Sequence, residues 1–151
     1  MSADLETSKV AAANEIHCND FSKQTLKRNS MLKHKIDIDT LFRTGKKANI
    51  EYIRLTYRKY SATSQQGEVR IFVSAPKKFH HHAVDRNLIK RRMREAIRKN
   101  LQQLRIACSE NNISIDIAFV YQTNIINDYS DIEKIIVLSL QKIYSEVYEK
   151  I

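Results

Sequence analysis

The sequence predicts an α+β chain, with helices packed against one small mixed sheet as a two-layer sandwich. Two kinds of periodicity carry that reading. Ile53-Leu55-Tyr57, Val69-Ile71-Val73 and Ile113-Ile115-Ile117-Phe119 each alternate with other residues, as strands do. Ile89, Met93, Ile97, Leu101 and Leu104, and later Ile132, Ile136, Leu140, Ile143 and Val147, recur at helical spacing. With a short helix in front, the order becomes α-β-β-β-α-β-α.

Each element has a local reason. Residues 1–24 mix Ser, Ala, Asn, Glu and Lys without periodicity and are expected to form a disordered extension. The ordered domain is expected over 25–151. Asp37 to Arg43 reads as the first helix, with Ile38, Leu41 and Phe42 on one face and Gly45 as its stop. A short strand fits Lys47 to Glu51, a second follows from Ile53, and Ser61 to Gly67 is a polar turn before the third. Pro76, the single proline, ends the third strand and opens a basic loop that runs through His82. One long basic helix follows, carrying its apolar stripe on to Leu104. Ser130-Asp-Ile-Glu133 has the spacing of a capping box and marks the start of the last helix.

Charge points to the partner. The chain carries a net charge of +9. Between Lys77 and Arg105 lie ten Lys and Arg residues against two acids, Asp85 and Glu95, so this region holds an excess of eight. A concentrated excess of one sign is the footprint of a polyanion partner. Within it, Arg86, Lys90, Arg91, Arg92, Arg94 and Arg98 are interleaved with Ile89, Met93, Ala96 and Ile97. The helix therefore buries one face and offers guanidinium forks on the other, the geometry that grips phosphate oxygens. Arg91, Arg94, Arg98 and Arg105 are spaced to share one side of it.

Other classes are disfavoured. No run of eighteen apolar residues spans a membrane, and the N-terminus lacks a charged-then-apolar leader. Cys18 and Cys108 are isolated, which argues against a zinc site or disulfide framework and for a cytoplasmic chain. Neither paired carboxylates, a nucleophile motif nor a Gly-rich phosphate loop stands out. His80-His81-His82 reads as a set of loop donors near phosphate rather than a metal site. No catalytic residue, bound metal or obligate protein partner is expected. A free-standing RNA-binding or ribosome-associated module stays open at this point, as does a DNA reader with Asn87 beside its arginines.

Two stretches resemble a known family. Val73-Ser-Ala-Pro-Lys-Lys78 followed by Ala83-Val-Asp-Arg-Asn-Leu-Ile-Lys-Arg-Arg-Met-Arg-Glu-Ala-Ile-Arg98 resembles the signature of the bacterial ribonuclease P protein subunit. Leu32-Lys-His-Lys-Ile-Asp-Ile-Asp-Thr-Leu-Phe-Arg-Thr-Gly45 resembles that family's first helix. The likeness covers about residues 26 to 148. Leu88 stands where the family has a third arginine, Ile38 where it has an aromatic residue, and the histidine loop is longer than the family's turn.

The resemblance implies a fold with a left-handed β-α-β crossover. It implies an RNA-binding subunit of an endoribonuclease whose RNA subunit cleaves the 5′ leader from precursor tRNA with Mg2+. Its partners are then the catalytic RNA and precursor tRNA. Lys77, Lys78, Arg86, Asn87, Lys90, Arg91, Arg94 and Arg98 become the expected RNA contacts. Ile38, Phe42 and Tyr57 become candidates for a cleft that holds the leader, since single strands are held by stacking inside a positive groove. Tyr52 and Phe72 are further aromatic candidates, and Phe42 is the first choice.

Overall fold

The computed structural model describes residues 30–61 and 67–149. The N-terminal extension and most of the polar turn lie outside these residues. Eight elements follow one another: α1 (Lys35–Thr44), β1 (Lys46–Ile50), β2 (Ile53–Ser61), β3 (Val69–Ser74), α2 (Ala83–Asn100), α3 (Gln102–Asn111), β4 (Ile113–Tyr121) and α4 (Tyr129–Glu149).

The strands form one sheet in the order β1-β2-β4-β3. β1 and β2 make an antiparallel hairpin and β2 runs antiparallel to β4, whereas β3 and β4 are parallel. The sheet is therefore mixed. A parallel pair cannot be joined by a tight turn, and α2 with α3 supplies the crossover between β3 and β4.

Strand alternation sends two sets of side chains to the two faces. Ile53, Leu55 and Tyr57 of β2, Val69 and Ile71 of β3, and Ile115, Ile117, Phe119 and Tyr121 of β4 point to one face. There they join Ile89, Met93, Ala96 and Ile97 of α2 and Ile132, Ile136, Leu140, Ile143 and Val147 of α4 in one buried cluster. Among the described residues, the opposite face is covered by α1 and by Leu32 just before it. Leu41 of that helix, with Leu32 and Ala118, forms a small second cluster against Ile38, Phe42 and Phe72.

Gly45 shows why the chain needs glycine after α1. Its backbone is extended (φ −74°), so left-handed freedom is not the reason. A Cβ there would lie 2.5 Å from the carbonyl oxygen of Leu41 and 3.0 Å from that of Tyr57. The helix end is pressed directly onto β2.

Two expectations are corrected. The single long helix is two, broken at Leu101. Asn100 turns its side-chain amide back onto the carbonyl of Ala96 at 2.8 Å, and Leu101 is buried. A side-chain amide that competes for a helix carbonyl favours such a break. Asn111 does the same to Ala107 before the left-handed Asn112 ends α3. Secondly, Ser130 is not a cap, because α4 already begins at Tyr129. The Glu133 carboxylate instead accepts a short hydrogen bond from the Tyr129 hydroxyl.

Candidate nucleic-acid interface

The basic helix presents its charge unevenly. Ile89, Met93, Ala96 and Ile97 are fully buried, which turns Asn87, Arg91 and Arg94 outward. Among the described residues no ion pair or hydrogen bond occupies Lys90, Arg91 or Arg94. The other cations have structural work. Arg86 donates from Nη1 to the carbonyls of His80 (3.0 Å) and His81 (2.7 Å), tying the loop to the helix start. Arg92 donates to the carbonyl of Asn127. Arg98 forks onto Glu95 with bonds of 3.0 and 2.6 Å. That fork, helped by Lys99, holds the Glu95 carboxyl below its usual range.

Arg105 leaves the stripe altogether. The break at Leu101 places it half-buried in α3, where it donates to Ser30 and burial lowers its pKa. The loop before α2 keeps Lys77 and Lys78 exposed. It does not keep the histidines together as surface donors. His80 is buried and its Nε2 sits 2.7 Å from the carbonyl oxygen of Thr123, while His81 and His82 are exposed.

The sheet face beneath α1 carries a groove of about 360 Å³. Phe42 comes from the helix and Phe72 from β3, their rings edge-to-face with centroids 5.9 Å apart. Lys47 of β1 and Arg54 of β2 bring exposed cations to the opposite side. Ser74, Val120 and Gln122 complete the lining where β3 and β4 end. Thr56 forms part of the lining, and its buried Oγ1 has no hydrogen-bond partner among the described residues.

Of the aromatic candidates, Phe42 and Phe72 line this groove and Ile38 packs beside them. Tyr57 does not, and its assignment is corrected. It shares the alternation of Ile53 and Leu55, so it points to the closed face and is 2% exposed. Its hydroxyl donates to Glu146, and burial together with that bond pushes its pKa up. Tyr52 also misses the groove, packing edge-on against Tyr121 at 5.3 Å. Sequence reasoning overlooks Lys47, Arg54 and Thr56. The signal is present, because all three are out of phase with the core residues of their hairpin.

One buried charge network lies on the same face. Asp116 is fully buried on β4 and accepts two bonds from Arg70, at 2.8 and 3.0 Å, and one from Tyr60. Arg58 adds a longer contact of 3.4 Å. Burial opposes the Arg70 charge, but the bonds to Asp116 outweigh it and raise its pKa. No group of three or more metal-ligating side chains gathers among the described residues.

Comparisons with known proteins place the chain in a family. A family model described as Ribonuclease P matches residues 26–144. The ribonuclease P protein component of Chlorobium phaeobacteroides is 35% identical over 113 residues, which cover 70% of this chain and 74% of that protein. That of Porphyromonas gingivalis is 30% identical over 122 residues, covering 81% and 88%. Among solved structures, a Staphylococcus aureus RNase P protein mutant aligns with a TM-score of 0.60 at 17% identity, covering 83% of this chain and 97% of that one. The Thermotoga maritima RNase P protein aligns at 0.58 and 21%, covering 74% and 96%. These two share the fold. The family model spans most of the sequence, so the chain belongs to the ribonuclease P protein family, the protein subunits of a ribonucleoprotein endoribonuclease that acts on tRNA precursors.

Proposed function

We propose that the outward stripe of α2 holds the catalytic RNA while the groove beside α1 holds the single-stranded 5′ leader of precursor tRNA. The groove carries this reading. It joins two half-buried aromatic rings and two exposed cations in one channel on the face beneath α1. Such a channel suits a flexible single strand, whose bases stack while its phosphates meet the cations. The α2 stripe suits a different task. Lys90, Arg91 and Arg94 lie on a rigid convex helix and offer no pocket for a base, so they fit phosphates on the surface of a folded RNA. Arg86 ties the end of the basic loop, which also carries the exposed Lys77 and Lys78, to the start of the helix.

The protein's share of the reaction is binding. Among the described residues, the groove lining holds no carboxylate, histidine or cysteine to act as base or nucleophile. Asp116 and Asp37 are engaged by arginines, so these carboxylates do not fit a resident Mg2+ site. In this reading Mg2+ belongs to the catalytic RNA, and the cations of the protein reduce the amount of it that the assembly needs.

The test is cleavage of precursor tRNA over a magnesium series. The purified protein alone should leave the substrate intact, and added to the catalytic RNA it should move half-maximal cleavage to lower Mg2+. Cleavage by nuclease-treated protein alone, or an unmoved magnesium midpoint, would overturn the proposal.

A further inference from the structure

The outward face of α2 is not wholly basic. Val84, in its first turn, is 78% exposed, and Leu88 one turn later is half-buried beside it. The loop between β4 and α4 adds Ile125, 66% exposed, with Ile126 next to it also exposed. Bonds on either side fix the path of that loop. His80, just before α2, donates from Nε2 to the Thr123 carbonyl at 2.7 Å, and Arg92 donates to the Asn127 carbonyl. Residues 123–127 therefore run alongside the first turns of α2. Between these two ties the Tyr121 hydroxyl donates to the Ile125 carbonyl at 2.7 Å and holds the turn. Val84, Leu88, Ile125 and Ile126 thus form one apolar step at the N-terminal end of the helix.

Apolar side chains gathered at one exposed place mark a contact surface, and position selects what covers it. Val84, Asn87 and Arg91 recur at helical spacing, so they share one row of α2. Asn87 and Arg91 are exposed like Val84. A polyanion seated on Arg91 therefore covers Val84 as well. Regular paired RNA has little to offer an apolar step, because its exterior is phosphate and sugar and its bases are stacked inside. An unpaired base swung out of the stack offers a flat face of low polarity.

We infer that the apolar step of Val84, Leu88 and Ile125 seats an unpaired nucleobase of the catalytic RNA, with the adjoining phosphate at Arg91. The inference rests on the reading of α2 as the catalytic-RNA surface. It narrows that reading, because the helix then sits on a loop, bulge or junction of the RNA and not on a regular duplex.

The test is the salt dependence of catalytic RNA binding by the full chain. Val84→Ser combined with Ile125→Ser removes apolar area and no charge, at two exposed positions that leave the core untouched. Affinity should fall about fivefold, the low end for one base contact. The salt slope should not move, because the number of neutralised phosphates is the same. Val84→Ile combined with Ile125→Val should bind as wild type. A photocrosslinker at Ile125→Cys, in a Cys18→Ser background, should map to unpaired nucleotides of the catalytic RNA. Unchanged affinity of the serine variant, a changed slope, or crosslinks confined to paired segments would each overturn the inference. Unchanged RNA affinity together with lost self-association would instead assign the step to a second copy of the chain. Arg91→Ala combined with Arg94→Ala, run alongside, separates the two layers. Should the arginine variant lose RNA affinity while the serine variant keeps it, the step is refuted and the α2 reading stands. If the arginine variant changes neither affinity nor slope, the α2 reading fails and takes the step with it.

Discussion

The two faces of the sheet are built from the same strands and do opposite things. One face is sealed beneath α2 and α4, and nearly every side chain on it is a fully buried hydrophobe. The other is covered by the ten residues of α1 and keeps a groove, a buried carboxylate and two partly exposed arginines. Burial on both sides would give a stable sheet with no place for a ligand. Here stability is concentrated on one face, which leaves the other free to tolerate half-buried aromatic rings at its surface. Sites for function often accept such local disadvantages when the scaffold is secure.

A matched pair of truncations would break this contrast most sharply. Phe119→Ala opens the sealed face, where Phe119 is fully buried, and should cost about 3–5 kcal/mol of stability. Phe42→Ala acts on the open face. It should cost about 1–3 kcal/mol of precursor tRNA affinity, the worth of one stacked base, with a smaller fall in melting temperature. Thermal unfolding and tRNA binding measured on both variants check the pair. A larger stability loss for Phe42→Ala than for Phe119→Ala would mean that the two faces have exchanged roles.

Legibility follows the same division. Period-two alternation locates β2, β3 and β4 because each carries an apolar run on one face, Ile53-Leu55-Tyr57 in the case of β2. Alternation does not say which face is sealed. From sequence, Tyr57 therefore reads as a groove candidate although it shares its phase with Ile53 and Leu55, while Thr56 and Arg54 between them carry no motif. The helix break is hidden for a different reason. Leu101 and Leu104 continue the apolar stripe of α2, and only the side-chain bond from Asn100 interrupts it. The outward arginines are legible, but their engagements are not. Arg86, Arg92 and Arg98 meet partners on the loops and on Glu95 that spacing alone does not rank.

The convex stripe can be separated from the groove by salt. Changing Arg91 and Arg94 together to Ala should flatten the salt dependence of catalytic RNA binding by about 0.7–0.9 in slope for each phosphate no longer neutralised. Precursor preference over mature tRNA should be retained. The same measurement on Arg92→Ala should show a smaller change in slope, because that guanidinium already donates to Asn127. Equal slopes for the two variants would remove the distinction between engaged and outward cations.

The smallest expected effect lies at the edge of the sealed face. Burial would raise the Glu146 pKa, but the Tyr57 bond and the nearby Lys46 and Lys59 hold it below its ordinary 4.5. A carboxylate lowered in this way stabilises the fold above its unfolded pKa, and the benefit fades as pH falls through the lowered value. Glu146→Gln should therefore be modestly less stable than wild type at pH 7, with the difference closing below the carboxylate range. Denaturant unfolding at several pH values reads this directly, and a gap that widens on acidification would contradict it.

In the proposed function, two surfaces of one small domain serve two RNA strands. Site-directed photocrosslinking in the assembled holoenzyme with precursor tRNA tests it most directly. One probe is placed through Arg54→Cys in the groove and another through Arg91→Cys on α2, both in a Cys18→Ser background. Cys108 is buried, with its thiol pushed up to about 12, and should stay unlabelled in the folded protein. The probe at position 54 should crosslink to the 5′ leader and the probe at position 91 to the catalytic RNA. Crosslinks from position 54 to the catalytic RNA alone, or from both positions to the same strand, would contradict it.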